Sequence, residues 1–216
     1  MLKIVTGHKK GITIASTKSA RELRPTQALI RQALVNILRN QDLLNSETKA
    51  LDLYAGIGSV GLELLSNDVG QVVFVERDPR CFKILKSNIA KLGFNETVDA
   101  NAGPQKKAAV IPKPVLSAFK ILRADSKAEP FDLIFADPPY KDKGLERIIK
   151  EILGYAPEAS EEARLPALLK IGGTLVWECS EGELWDDSLQ AAFGELELEQ
   201  VKKYGDSFLY FWRRTT

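Results

Sequence analysis

The chain has 216 residues, 44% hydrophobic and 27% charged, with a formal net charge of +1, an ordinary globular composition long enough to bury a core unaided. Two distant cysteines, Cys81 and Cys179, and a single histidine, His8, offer no metal-ligand spacing, so a zinc cluster is not expected. No apolar run approaches the roughly 18 residues that would span a bilayer, and MLKIVTGHKKG lacks the apolar stretch of a secretory signal, so a reduced, cytoplasmic protein, without a metal, is expected.

Residues 1–40 carry eight Lys/Arg against one acid, Glu22, a local charge of +7 that leaves −6 for the remainder. Such an asymmetry either steers a polyanion to one face or is simply a solvated surface. KIVTG (3–7) and GITIAS (11–16) predict a small hairpin joined through HKK. RPTQALIRQALVNILRN (24–40) places Ala28, Leu29, Ala33, Leu34, Ile37 and Leu38 at helical spacing, with Pro25 suited to the first turn. These pieces form a basic N-terminal extension, 1–40, ahead of an α/β domain, 41–216.

From there short apolar strands alternate with helices. Strands are predicted at 49–56 (KALDLYAG), 71–78 (QVVFVERD), 108–113 (AAVIPK), 131–137 (FDLIFAD) and 172–180 (GGTLVWECS). Helices are predicted at 60–67, from Pro79 to a stop at Gly93, at 114–125, at 143–156 and at 161–170, the last interrupted by Pro166, with a short helix over 183–192. ELELEQVKKYG and SFLYFWRR form a terminal strand pair about Gly205-Asp206. The continuously apolar FDLIFAD reads as a central strand. The expected fold is a doubly wound, mostly parallel seven-stranded sheet with an antiparallel C-terminal strand. Ligands in such sheets sit beyond the strand carboxyl ends, which selects 54–61, 76–78, 112–114 and 137–140.

Three features in those windows carry chemistry. Gly56, Gly58 and Gly61 fit G-x-G-x-x-G between a strand and a helix, where glycine allows a tight turn and close ligand approach; alone this is shared by oxidoreductases and methyltransferases. Glu76 ends the next strand, where a carboxylate takes both ribose hydroxyls of an adenosine cofactor. Asp137-Pro138-Pro139-Tyr140 closes the fourth strand. An exocyclic amino nitrogen is a poor nucleophile because its lone pair is delocalised. Asp137 and the Pro138 carbonyl, in a corner where neither proline offers an N–H, would accept its hydrogens and turn the lone pair toward an incoming methyl. Tyr140 offers a face for an extruded base.

Taken together, DLYAGIGSVGLE, FVERD and FDLIFADPPY resemble class I S-adenosylmethionine-dependent methyltransferases of exocyclic amino groups. KIVTGHKKGITI and RPTQALIRQALVNIL narrow the resemblance to the RsmD-type ribosomal RNA guanine-N2 methyltransferases of bacteria, over nearly the whole chain. The resemblance implies methylation of one guanine N2 in small-subunit (16S) ribosomal RNA; the substrate is naked RNA or the assembling subunit, and a monomer is expected. It assigns Asp52, Tyr54, Gly56, Gly58, Glu76, Arg77 and Thr26 to S-adenosylmethionine, with Arg24-Pro25-Thr26 over its methionine end or the incoming nucleotide. Asp137, Pro138, Pro139 and Tyr140 would hold the base. Lys9, Lys10, Arg21, Arg24 and Arg31 are the candidate phosphate contacts. One departure stands out: the acid expected after the third strand is absent, Pro114 standing there, with Asp99 or Asp125 as substitutes. The alternative activity is adenine-N6 methylation of DNA or RNA, which uses the same D-P-P-Y chemistry.

Overall fold

The computed structural model describes residues 2–16, 25–96, 107–124, 128–139, 145–155, 164–180 and 194–216. Two strands, β1 (Leu2–Lys3) and β2 (Thr13–Ile14), pair as an antiparallel hairpin, shorter than the predicted 3–7 and 11–16. Five parallel strands were anticipated in kind and position: β3 (Lys49–Leu53), β4 (Gln71–Val75), β6 (Lys107–Ile111), β7 (Phe131–Ala136) and β8 (Leu169–Ser180). A two-residue strand, β5 (Asn95–Glu96), extends the edge, and β9 (Leu196–Tyr204) and β10 (Ser207–Arg214) form the terminal pair. The sheet order is β5-β6-β4-β3-β7-β8-β10-β9, with β10 antiparallel to both of its neighbours. Apart from the short edge strand this is the expected seven-stranded architecture. The chain leaves β3 toward β4 on one side and returns to β7 on the other, so β3 and β7 flank the point where the winding reverses.

Helices α1 (Pro25–Asn40), α2 (Ser59–Ser66) and α3 (Pro79–Leu92) pack on one face, through Leu34, Leu38, Leu62, Leu85 and Ile89. Helices α4 (Val115–Ala124) and α5 (Leu145–Ile152) cover the other, through Ala118, Phe119, Ile148, Ile149 and Ile152. The boundaries of α3 follow from capping: Asp78 accepts from Arg80 N–H at 2.7 Å, Pro79 occupies the first turn, and Gly93 ends the helix at φ 71°. The predicted helix 161–170 does not form over its described part, 164–170. Leu165 N–H donates to the Gly154 carbonyl and Leu168 N–H to the Ile152 carbonyl, and Leu169 already pairs with Phe131 in β8. Pro166 has no N–H for a helix, so sheet pairing prevails over local propensity. The helix predicted over 183–192 lies outside the described residues. None of the described helices is long and apolar enough to cross a membrane. Cys81 is half-buried and Cys179 buried, neither in a disulfide.

The N-terminal hairpin is docked on α2 by polar contacts. Glu63, 1% exposed, accepts from Val5 N–H (2.6 Å), Thr6 N–H (3.0 Å), the Thr6 hydroxyl (2.8 Å) and Arg31 Nε (3.3 Å). Ser66 and Asn67 add bonds to the Thr6 carbonyl and hydroxyl. Ile4, Ile14 and Ile30 join the same apolar cluster as Leu62 and Phe74. The extension therefore shares its core with the domain behind it. On α3, buried Asn88 accepts from Ala15 N–H (2.8 Å) and donates to the carbonyls of Ala15 and Ile57, both at 3.1 Å.

Candidate active site

The turn after β3 is built for close approach. Tyr54 (φ 59°), Gly56 (φ 57°) and Gly58 (φ 86°) all adopt left-handed backbone, and the nearest atom to a side chain placed on Gly56 would be the Tyr54 carbonyl at 4.0 Å. The space beside Gly56 is thus open to a ligand. Gly61 serves a different purpose: a Cβ there would lie 2.3 Å from Phe74 and 2.9 Å from the Asp52 carboxylate, so only glycine lets α2 lie this close to β4.

Glu76 follows β4 and is 9% exposed. Its Oε2 accepts from Gly56 N–H at 2.7 Å and its Oε1 from Asp78 N–H at 2.6 Å. A carboxylate offers about four lone-pair sites, so each oxygen keeps one for a ligand. Asp52 lies deeper, 2% exposed, and accepts from Gly61 N–H at 2.9 Å. Burial pushes its carboxyl up to about 7 from 3.8, against the pull of the Gly61 bond, with Glu76 adding to the rise. Expected on the cofactor, Asp52 instead ties β3 to the start of α2 and takes no part in the cavity wall.

A cavity of about 700 Å³ opens at the carboxyl ends of the strands. Tyr54, Glu76, Arg77, Asp137, Pro138 and Pro139, named from sequence, share its wall. Val75, Pro114, Val115 and Leu116 make one side apolar, and Lys113 stands beside Pro114. The size suits a drug-sized ligand, and an apolar wall next to a carboxylate with two spare acceptor sites fits a nucleoside bearing a cis-diol. Pro114 occupies the position of the missing acid, beside Val115 and Leu116 on the apolar side of the cavity. Asp99 and Asp125 lie outside them.

Sequence reasoning had no signal for Gln27 on α1 or Arg147 on α5, which also line the cavity. Each looks like a solvated helix residue until the topology brings it to the strand ends. Lys113 fell inside the window selected after the third strand but received no role. Outside the cavity, Asp78 is held down at about 2 by its hydrogen bond from the Arg80 side chain, which fixes the α3 cap as an ion pair of 2.8 Å.

Of the expected phosphate contacts, Lys10 is exposed at the hairpin turn and Lys9 lies with Nζ 5.9 Å from the Phe94 ring centre. Arg31 is a correction. It is 4% exposed, paired with Glu63, and donates to the Lys3 carbonyl at 3.2 Å, so it holds the hairpin rather than facing a phosphate. Thr26 belongs to the first turn of α1. Arg21, Arg24 and Tyr140 lie outside the described residues. Among the described residues no group of three or more His, Cys, Asp or Glu could hold a metal ion.

A family model described as conserved hypothetical protein 95 matches residues 2–213. The chain belongs to that family, the family of the RsmD-type methyltransferases. Within its range of relatives, the chain is 27% identical over 155 residues to a putative rRNA methyltransferase, YlbH, of Bacillus subtilis, covering 71% of this chain and 75% of that one. It is 31% identical over 137 residues to ribosomal RNA small subunit methyltransferase D of Buchnera aphidicola, covering 63% and 62%. The solved structure of the putative methyltransferase yhhF from Escherichia coli superposes with a TM-score of 0.70 at 23% identity, over 100% of this chain and 98% of that one, a likeness of fold.

Proposed function

We propose that this conserved hypothetical protein 95 family member transfers a methyl group from S-adenosylmethionine to the exocyclic N2 of a guanine in small-subunit ribosomal RNA, in the cytoplasm. The observation that carries the reading is one cavity wall shared by Glu76, with acceptor sites to spare, and Asp137-Pro138-Pro139. Glu76 takes the ribose hydroxyls, and Val75, Pro114, Val115 and Leu116 enclose the adenine without an acid. Bound there, S-adenosylmethionine would supply a sulfonium methyl for guanine N2, with S-adenosylhomocysteine as the leaving group. Asp137 and the Pro138 carbonyl accept the two amino hydrogens, pyramidalising the nitrogen, and the two prolines leave the corner without competing donors. Asp137 is a weak base and a neutral amino group a far weaker acid, so the proton passes to the Asp137 carboxylate, and from there to water, only once the nitrogen is cationic. Tyr140 stacks on the base, and Lys9 and Lys10 bind phosphate. The chain's relatives named as rRNA methyltransferases support RNA as the substrate.

The test is tritium transfer from labelled S-adenosylmethionine to small-subunit ribosomal RNA and to duplex DNA at rising salt. Label should enter RNA alone, at guanine N2, with an RNA affinity that falls as salt rises. Asp137→Ala should lower turnover by about 10²–10³-fold, while calorimetric affinity for S-adenosylhomocysteine stays near wild type. Label in duplex DNA, or near-normal turnover of the variant, sinks the assignment.

A further inference from the structure

Arg147, the third residue of α5, is exposed and lines the same cavity as Asp137, Pro138 and Pro139. The other charges of this helix are all matched. Glu146 pairs with Lys150 at 2.5 Å, and Glu151 with Arg123 of α4 at 3.0 Å. The Arg147 guanidinium has no hydrogen bond or ion pair among the described residues. It also stands in the first turn of its helix, where the backbone dipole disfavours a cation. A cation left unpaired in an unfavourable place, at the mouth of a cavity, is waiting for an anion from outside. The two anions on offer are the carboxylate of the cofactor's methionine end and a phosphate of the nucleic acid. The cofactor's nucleoside belongs with Glu76, after β4, and its methionine end is expected under the glycine turn and Thr26. Arg147 instead follows the Asp137–Pro139 corner on the next element of the chain, on the side where the target amino group is held.

We infer that Arg147 clamps the phosphate of the extruded target nucleotide, a positioning residue that delivers the base to Asp137. This inference rests on the proposed RNA substrate. A planar guanidinium matches two phosphate oxygens at once, and an extruded base necessarily brings its own phosphate to the cavity mouth. The clamp fixes how far the base can enter, while Asp137 fixes the orientation of its amino group.

Steady-state methylation of small-subunit ribosomal RNA by wild type, Arg147→Ala and Arg147→Lys, at several salt concentrations, tests it. Arg147→Ala should raise the KM for RNA about tenfold, the loss of one charge-assisted contact, with a smaller effect on kcat. The plot of log KM against log salt should become shallower by roughly 0.7, the value for one phosphate on a single strand. Arg147→Lys should restore the slope and part of the KM. Melting temperature and S-adenosylhomocysteine affinity should stay at wild-type values. A KM and slope equal to wild type, with wild type active on RNA, overturn this inference and leave the function standing. A tenfold loss of S-adenosylhomocysteine affinity reassigns Arg147 to the cofactor carboxylate. A wild type that binds S-adenosylhomocysteine yet methylates no RNA overturns both.

Discussion

Glu63 on α2 and Glu76 after β4 both capture backbone N–H groups, one from the hairpin and one at the cavity. On the hairpin side Glu63 accepts four donors, from Val5, Thr6 twice and Arg31, which fills the capacity of a carboxylate. On the cavity side Glu76 accepts two, from Gly56 and Asp78, and faces open space with the rest. Burial does not separate them, at 1% and 9% exposure. Saturation does: the filled carboxylate is a structural clamp, and the half-filled one beside a cavity is the one we propose to bind a ligand. Asp52 adds a third case, accepting only from Gly61 among the described residues and outside the cavity wall. Its unmet capacity is answered by a raised pKa instead of by a ligand.

The strongest way to break this comparison is Glu63→Ala. It leaves Arg31 buried without its partner and should cost about 3–5 kcal/mol, lowering Tm by roughly 10 °C, while the folded fraction binds S-adenosylhomocysteine as before. Asp52→Asn should show a pH signature. With its folded pKa at about 7 against 3.8, the folded state holds more protons than the unfolded one between those values, so wild-type stability falls as pH rises across that window. The variant removes this slope. Its unfolding free energy relative to wild type should climb from pH 4 to pH 7 and level off above, by up to about 4 kcal/mol; a flat difference would show that Asp52 is not the group titrating. Glu76→Ala should reduce S-adenosylhomocysteine affinity by about 10–100-fold by calorimetry, with a smaller loss of Tm than Glu63→Ala. A large loss of Tm with unchanged affinity would make Glu76 a second Glu63.

Much of the fold was legible because its signals are local. Asp78, Pro79 and Gly93 write the ends of α3 directly into the sequence, and the apolar run before Asp137 marks a central strand. That Tyr54, Glu76 and Asp137 would share one cavity was legible because the sheet collects strand ends at one edge. The failures share a cause, dependence on partners distant in sequence. Arg31 sits at helical spacing with other basic residues, and nothing near it announces a buried Glu63 on another helix. Residues 164–170 have helix-favouring neighbours, yet Gly154, Ile152 and Phe131 take their backbone bonds. Gln27 and Arg147 belong to the cavity only through the packing of α1 and α5.

Asn88 gives the arrangement a mechanical meaning. One side-chain amide bonds Ala15, just past the hairpin, and Ile57, inside the glycine turn. Nothing else described spans those two segments so directly, and the amide cannot follow one without pulling on the other. A force applied to the hairpin, where we propose that RNA binds, would therefore be felt at the glycine turn that we propose cradles the cofactor, coupling the two as a single handle.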